Sequence, residues 1–167
     1  LVLAGGDAYA ALADEYCPVR LPVLRYKLGP SGRRSVVRTL AAALPVTVDL
    51  LLHGPGVTMA CDALRDFRPD VVVSDSEFWT HRAARRLGLP RINFDHYGVL
   101  VWCRWPMGWL ARTVNAAEAW VYQTLMGGPP ERIVIASFHS PPPTREGVRV
   151  VGSVLREYVV DTPAERG

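Results

Sequence analysis

Short apolar runs alternate with longer amphipathic segments along this chain of 167 residues. Runs rich in Val, Ile and Leu are typical of buried strands, whereas apolar residues spaced three or four apart indicate helices. The helical pattern covers residues 8–16, 33–44, 57–67, a short stretch after 77, and 110–126. Pro45 is expected to break or restart the second of these helices, which continues over residues 46–53. The strand pattern predicts six strands, near residues 1, 19, 71, 91, 132 and 148. This alternation predicts a Rossmann-like α/β domain, an open and mainly parallel β-sheet with helices on both faces.

Polar residues follow the predicted strand at residues 71–73, which we expect to be central in the sheet. They form the cluster Ser74-Asp75-Ser76-Glu77. Open parallel sheets bind ligands at the carboxyl ends of their strands. Asp75 and Glu77 are therefore candidates to accept hydrogen bonds from substrate hydroxyls or to act as a base. The alternative is that Asp75 or Ser76 caps the helix that follows.

The next predicted strand, residues 91–94, also ends in polar residues, Asp95 and His96. Histidine is suited to proton transfer near neutral pH. The alternative is that His96 is a structural hydrogen-bonding group. His81 lies on the helix between the two strands, where we expect it to be solvated. His53 and His139 lie near Gly-Pro or Pro-rich loops, and the sequence assigns them no role.

Gly5-Gly6-Asp7 follows the first predicted strand and opens a helix. Backbone N–H groups at such a position could face an anion. The segment is neither GxGxxG nor a P-loop, and the alternative is a simple tight turn.

Aromatic and apolar residues dominate the stretch after residue 96, which we expect to be a loop or capping segment. They could line an apolar groove or touch a membrane, with nearby arginines at lipid phosphates. The alternative is that they cover the core beneath the loop. The residues are Tyr97, Trp102, Trp105 and Trp109, with Arg104 and Arg112.

The composition is that of one globular domain, with 49% hydrophobic and 21% charged residues. The net charge of +3 fits an anionic small molecule, an anionic membrane surface or an ordinary basic protein, and is too weak to indicate nucleic acid. Three widely separated cysteines have no metal-site spacing and favour a reduced, cytoplasmic setting. No nucleophile elbow, HExxH or paired-cysteine motif is present, so we expect no metal site and no hydrolytic chemistry.

Four phrases, in this order, resemble the N-terminal half of GT-B glycosyltransferases: RPDVVVSDSE, AARRLGLPRINFDH, RIVIASF and VRVVGSVLREYV. They are most similar to bacterial and archaeal proteins related to the lipid-linked N-acetylglucosaminyltransferase of peptidoglycan synthesis. This chain and those proteins share a Pro-Asp before an apolar strand that ends in Asp, and a Leu-Gly-Leu-Pro-like end to the helix that follows. The family's Val-Gly-Pro-x-x-Arg phrase corresponds to residues 151–156, with Ser153 in place of proline. The likeness covers most of residues 67–157.

The resemblance implies a two-domain sugar transferase. The N-terminal domain would take a sugar, lipid-linked or small-molecule acceptor, and a C-terminal domain the donor, a UDP-sugar or similar nucleotide-sugar. No bound cofactor or metal is implied, because helix dipoles and basic side chains stabilise the leaving diphosphate. The implied setting is the cytoplasm, with possible peripheral contact at the inner face of the membrane.

The resemblance also suggests roles for individual residues. Asp75, Asp95 and His96 are the catalytic candidates, and Arg156 is expected at the hinge between domains. The candidates for acceptor binding are Ser76 and Glu77 from the resemblance, with Gly5 and Gly6 from the turn after the first strand and Tyr97 and Trp102 from the aromatic stretch.

The expected domain covers residues 1–157, and residues 158–167 are expected to be a linker or tail toward the donor domain. The chain starts with Leu1, and Leu1 to Gly6 matches the family's second strand, so we expect its first strand upstream. Without the donor half, the chain alone should not transfer sugar. The other interpretation is a non-catalytic Rossmann-like module that binds a ligand or partner.

Overall fold

The computed structural model describes residues 1–24, 27–30, 32 and 35–154. The predicted hinge residue Arg156 and the predicted linker at 158–167 lie outside the described residues. Within them, the fold class is confirmed: the chain is a Rossmann-like α/β domain with parallel sheets flanked by helices.

All six predicted strands are present, and every strand pairing among the described strands is parallel. Two strands form one sheet and four form another, in the order β3-β4-β5-β6. The strands are β1 (Leu3–Gly5) and β2 (Val19–Leu21), then β3 (Val72–Ser74), β4 (Arg91–Asp95), β5 (Arg132–Ala136) and β6 (Val148–Val151).

The helices follow the predicted pattern with three differences. Pro45 lies inside one continuous helix instead of breaking it, because the second half of that helix is anchored in the core by Leu50, which is buried. The first helix is shorter than expected, and the segment at 97–109 contains a short helix. The helices are α1 (Gly6–Leu12), α2 (Val36–Leu51), α3 (Pro55–Phe67), α4 (Phe78–Arg86), α5 (Gly98–Trp102) and α6 (Trp109–Leu125).

Two hydrophobic clusters hold the helices to the sheets. The larger cluster joins α2, α3 and α4 to β3 around Leu50, Leu64, Val72 and Trp79. The smaller one packs Trp102 and Cys103 against two isoleucines of β5. Among the described residues, no single helix is long and apolar enough to cross a membrane; only the bent pair 41–51 and 55–67, at 45° to each other, meets that test when taken together.

The strand at β3 was expected to be central, but it is the edge of the four-stranded sheet. Its free side and the free side of β1 line a common cavity of about 590 Å³. Val73 of this edge strand is 63% exposed and lines the cavity. The described strands therefore form two separate sheets, with a gap between β1 and β3.

The expectation that His81 is solvated is wrong, because α4 packs against both α3 and β3 and His81 is fully buried. Its Nε2 lies 3.1 Å from Oδ1 of Asn93 and donates to it. Nδ1 is buried without a partner among the described residues. Burial lowers the pKa of His81 to about 4, so the imidazole is neutral at physiological pH.

This burial predicts an acid-sensitive fold. The pKa of His81 is lower in the folded state than its ordinary value of 6.5, so its contribution is complete above about pH 6.5 and is lost as the pH falls toward 4. The free energy of unfolding should fall by roughly 3 kcal/mol from this group over that range. Urea unfolding at either end of the range measures the loss.

The variant His81→Gln should be less stable near neutral pH and should lose less stability on acidification. His139→Gln, which removes an exposed histidine, should keep the wild-type loss. An equal acid loss in His81→Gln and in the wild type would contradict this account.

Candidate functional site

The carboxyl ends of β3, β4, β5 and β6 lie in register at one edge of the sheet, which we call the carboxyl edge. Ser74 is paired with Asn93, Asp95 with Ile135, and Ala136 with Val151. The side chains that follow these strands therefore meet at this edge, among them Asp75 and His96.

The loop between β3 and α4 is held by its own polar groups. The Ser74 hydroxyl donates to the carbonyl of Glu77 at 2.9 Å, and Ser76 adopts a left-handed conformation with φ of 53°. A non-glycine residue there costs on the order of 1–2 kcal/mol, which the surrounding hydrogen bonds offset.

Glu77 caps helix α4, a role that the sequence had left to Asp75 or Ser76. Its carboxylate accepts hydrogen bonds from the backbone N–H groups of Trp79 at 2.6 Å and Thr80 at 2.7 Å. Burial raises the pKa of Glu77, and the hydrogen bonds from Thr80 and Trp79 offset part of that rise. Asp75 and Ser76 are thereby left exposed at the carboxyl edge, while Glu77 is engaged by the backbone.

Asp95 points inward and is 1% exposed. Its Oδ1 accepts from the backbone N–H of Gly98 at 2.8 Å. Its Oδ2 accepts from Nδ2 of Asn93 at 2.8 Å and from the hydroxyl of Tyr122. Burial and the neighbouring Asp95 carboxylate raise the pKa of Tyr122, which stays protonated and donates. Asp95 thus joins β4, α5 and α6 and, in this arrangement, presents no free oxygen to a ligand.

His96, the next residue, is exposed at the carboxyl edge. Its Nδ1 lies 2.8 Å from the carbonyl oxygen of Ala136, at the end of β5. A carbonyl can only accept a hydrogen bond, so Nδ1 carries the proton and Nε2 of the neutral ring keeps a free lone pair. This single hydrogen bond gives His96 the tautomer that a general base needs.

The aromatic residues separate into different environments. Trp102 is 3% exposed and belongs to the core, so the core-covering alternative applies to it and its ring is out of reach of an acceptor. Tyr97 is partly exposed, and its hydroxyl donates to Oε2 of Glu118 at 3.2 Å. Trp105 donates to the carbonyl of Val99 at 2.9 Å, whereas Trp109 is largely exposed at the start of α6.

Gly5 and Gly6 form the turn between β1 and α1, in the two-stranded sheet. Gly6 has φ of 59°, and a Cβ added at Gly5 would lie 2.9 Å from the carbonyl oxygen of Leu21, so both positions favour glycine. The helix that follows has only seven residues. Gly5 and Asp75 line the same cavity, and Asp75 lies on the far side of the gap between β1 and β3.

The sequence reasoning missed residues that the structure brings to this region. Tyr122 and Asn93 hold Asp95 in place, and neither stood out in the sequence. Phe138 is 86% exposed and follows β5 at the carboxyl edge, with Ser137 beside it. The expectation that ligands bind at the carboxyl ends of parallel strands, applied to β3 and β4, would also have pointed to Ser137 and Phe138 after β5.

The inward carboxylate predicts a stability role for Tyr122. The change Tyr122→Phe removes a donor from the buried Asp95 oxygen and should lower the free energy of unfolding by about 1–3 kcal/mol. Urea unfolding measures this loss. Tyr16→Phe, at an exposed tyrosine, should stay within about 0.5 kcal/mol of the wild type. Equal effects of the two changes would contradict the role given to Tyr122.

Comparison with known proteins gives one family match. The profile of the family described as glycosyl transferase family 1 matches residues 32–167, which include the whole four-stranded sheet and the carboxyl edge. No curated protein matches the chain. The matched region covers well over half of the sequence and agrees with the parallel α/β fold. The chain therefore belongs to glycosyl transferase family 1.

Proposed function

We propose that this domain binds the acceptor in a nucleotide-sugar-dependent glycosyltransferase, and that the acceptor hydroxyl lies against His96 at the carboxyl edge. The observation that carries the proposal is the hydrogen bond from His96 Nδ1 to the carbonyl of Ala136, which leaves Nε2 free to take a proton. The family membership supports sugar transfer as the reaction class.

In the proposed reaction, Nε2 of His96 removes the proton from the acceptor hydroxyl as its oxygen attacks the anomeric carbon of the donor sugar. The bond from that carbon to the nucleoside diphosphate breaks, and the diphosphate leaves with the electron pair. Asp75, exposed at the neighbouring strand end, accepts hydrogen bonds from acceptor hydroxyls. Asp95 acts as a positioning residue, because it fixes the turn that carries His96.

The donor in this proposal is a UDP-sugar held by a C-terminal donor domain, and the present domain is the N-terminal half of the enzyme, without transferase activity alone. We further propose a lipid-linked acceptor, as in the group related to the peptidoglycan N-acetylglucosaminyltransferase. The exposed Trp109 and Leu110, with the exposed Arg104 and Arg112 nearby, support a peripheral contact with the inner face of the membrane.

The variant His96→Gln tests the proposed base in the protein that contains both this domain and the donor domain. Glutamine retains a hydrogen-bond donor but takes up no proton, so kcat should fall about 10²–10⁴-fold. Transfer from radiolabelled UDP-sugar to acceptor gives kcat, and titration with the UDP-sugar should show unchanged donor binding. His139→Gln, a matched change at another exposed histidine, should keep transfer within a few-fold.

Full transfer activity in His96→Gln would contradict the assignment of the base. Asp75→Asn then tests the neighbouring carboxylate, and Asp62→Asn, at an exposed ion pair on α3, is its control. If neither His96 nor Asp75 affects transfer, the carboxyl edge is not the catalytic site. If the two-domain protein binds a UDP-sugar but never transfers it, the non-catalytic binding module becomes the better interpretation.

A further inference from the structure

A second cavity, of about 690 Å³, lies at the opposite end of the four-stranded sheet from His96. It is formed where α4 and α6 end, beside the loop that leads into β5. Its polar lining includes Arg82, Arg85 and Arg86 of α4, with His53 and Gln123. The described residues that line it include no aspartate or glutamate, so its charge is positive.

Arg82 accounts for the hydrogen bonds that the end of α6 requires. Its Nε donates to the carbonyl of Leu125 at 2.9 Å, and its Nη2 donates to the carbonyl of Thr124. Arginine near the carboxyl end of a helix is a common structural arrangement. Arg82 is therefore explained by the fold, but it brings a positive charge to the cavity, and no carboxylate of the residues that the structure describes pairs with it.

Arg85 and Arg86 are not explained in the same way. Both side chains are exposed, and neither forms a hydrogen bond or ion pair with any residue that the structure describes. Arg85 lies directly over Gly128, because a Cβ added at that glycine would be 2.6 Å from Nη1 of Arg85. The missing side chain at Gly128 leaves room for the guanidinium to lie against the loop, at the wall of the cavity.

Trp120 adds a flat apolar surface to this basic cavity. Its side chain is 68% exposed and lines the cavity from α6. Burial, and then the charges of Arg82 and Arg86, lower the pKa of His53, so its ring offers a neutral hydrogen-bonding group. Guanidinium groups bind phosphate through paired N–H donors, and an indole ring stacks on flat organic groups.

We infer that this cavity binds a phosphate ester, with the phosphate at Arg85 and Arg86 and the organic part against Trp120. The shared chemistry fits either a soluble organic phosphate or the headgroup phosphate of an anionic lipid. The arginines, the indole ring and a described lining without aspartate or glutamate support this site, which does not depend on the catalytic role proposed for His96.

Calorimetric titration of the full chain with phenyl phosphate tests the inference. We expect saturable binding, tighter than that of inorganic phosphate because the phenyl ring lies against Trp120. The double variant Arg85→Gln/Arg86→Gln should weaken phenyl phosphate binding at least about tenfold, because it removes the paired donors. Trp120→Leu should remove the preference for phenyl phosphate over inorganic phosphate. Arg82 is left unchanged, because its loss would disturb α6.

The control is Arg38→Gln/Arg149→Gln, which lowers the net charge equally at exposed arginines that lie outside both the cavity and the proposed membrane contact. A second experiment uses a flotation assay to compare binding of the full chain to phosphatidylglycerol vesicles and to phosphatidylcholine vesicles. Arginine-dependent binding of phenyl phosphate without vesicle binding supports a soluble phosphate ester. Binding only to phosphatidylglycerol vesicles, lost in the Arg85/Arg86 variant and kept in the control, supports a lipid headgroup. No binding in either arm, or equal binding by the two double variants, would overturn the inference.

Discussion

The buried carboxylate of Asp95 is the interaction on which the carboxyl edge depends. A carboxylate that is 1% exposed must be supplied with hydrogen-bond donors, because an unpaired buried charge costs several kcal/mol. The donors come from Asn93 on β4, Gly98 on α5 and Tyr122 on α6. Those three elements must therefore be in place together. The same requirement fixes the end of β4 and the direction in which the following residue, His96, leaves it.

This constraint separates two adjacent polar residues into different roles. Asp95 is the last residue of β4 and points inward, whereas His96 lies in the bend that follows and is exposed. The carbonyl of Ala136 on the neighbouring strand then sets the tautomer of the histidine. A comparable division occurs after β3, where Glu77 is occupied by the backbone of α4 and Asp75 is left exposed. Acidic residues that look equivalent in the sequence thus divide into structural groups and exposed ones.

The two ends of the four-stranded sheet differ in chemistry. The carboxyl edge has exposed residues that follow the strands, namely Asp75, His96 and Phe138. At the opposite end of the sheet, arginines of α4 lie together where α4 and α6 end. The parallel arrangement produces this separation, because all strands start at one edge and finish at the other. The free sides of β1 and β3, which face a common cavity, are a third distinct surface. Unpaired strand edges of this kind expose backbone donors and acceptors that can pair with a further strand.

The sequence by itself determined the six strands, the parallel α/β class and the polar ends of β3 and β4. Those features are encoded locally, in apolar runs, in Gly and Pro at turns, and in the residue after each run. Only the tertiary structure decided which polar groups are buried: His81 was expected in solvent and is in the core, and Trp102 was a candidate for ligand contact and is core as well. The physical reason is that the burial and orientation of a polar side chain depend on partners that are distant in the chain. Asp95 is held by Tyr122, 27 positions away, and His96 by Ala136, 40 positions away. No local pattern of residues carries those pairings.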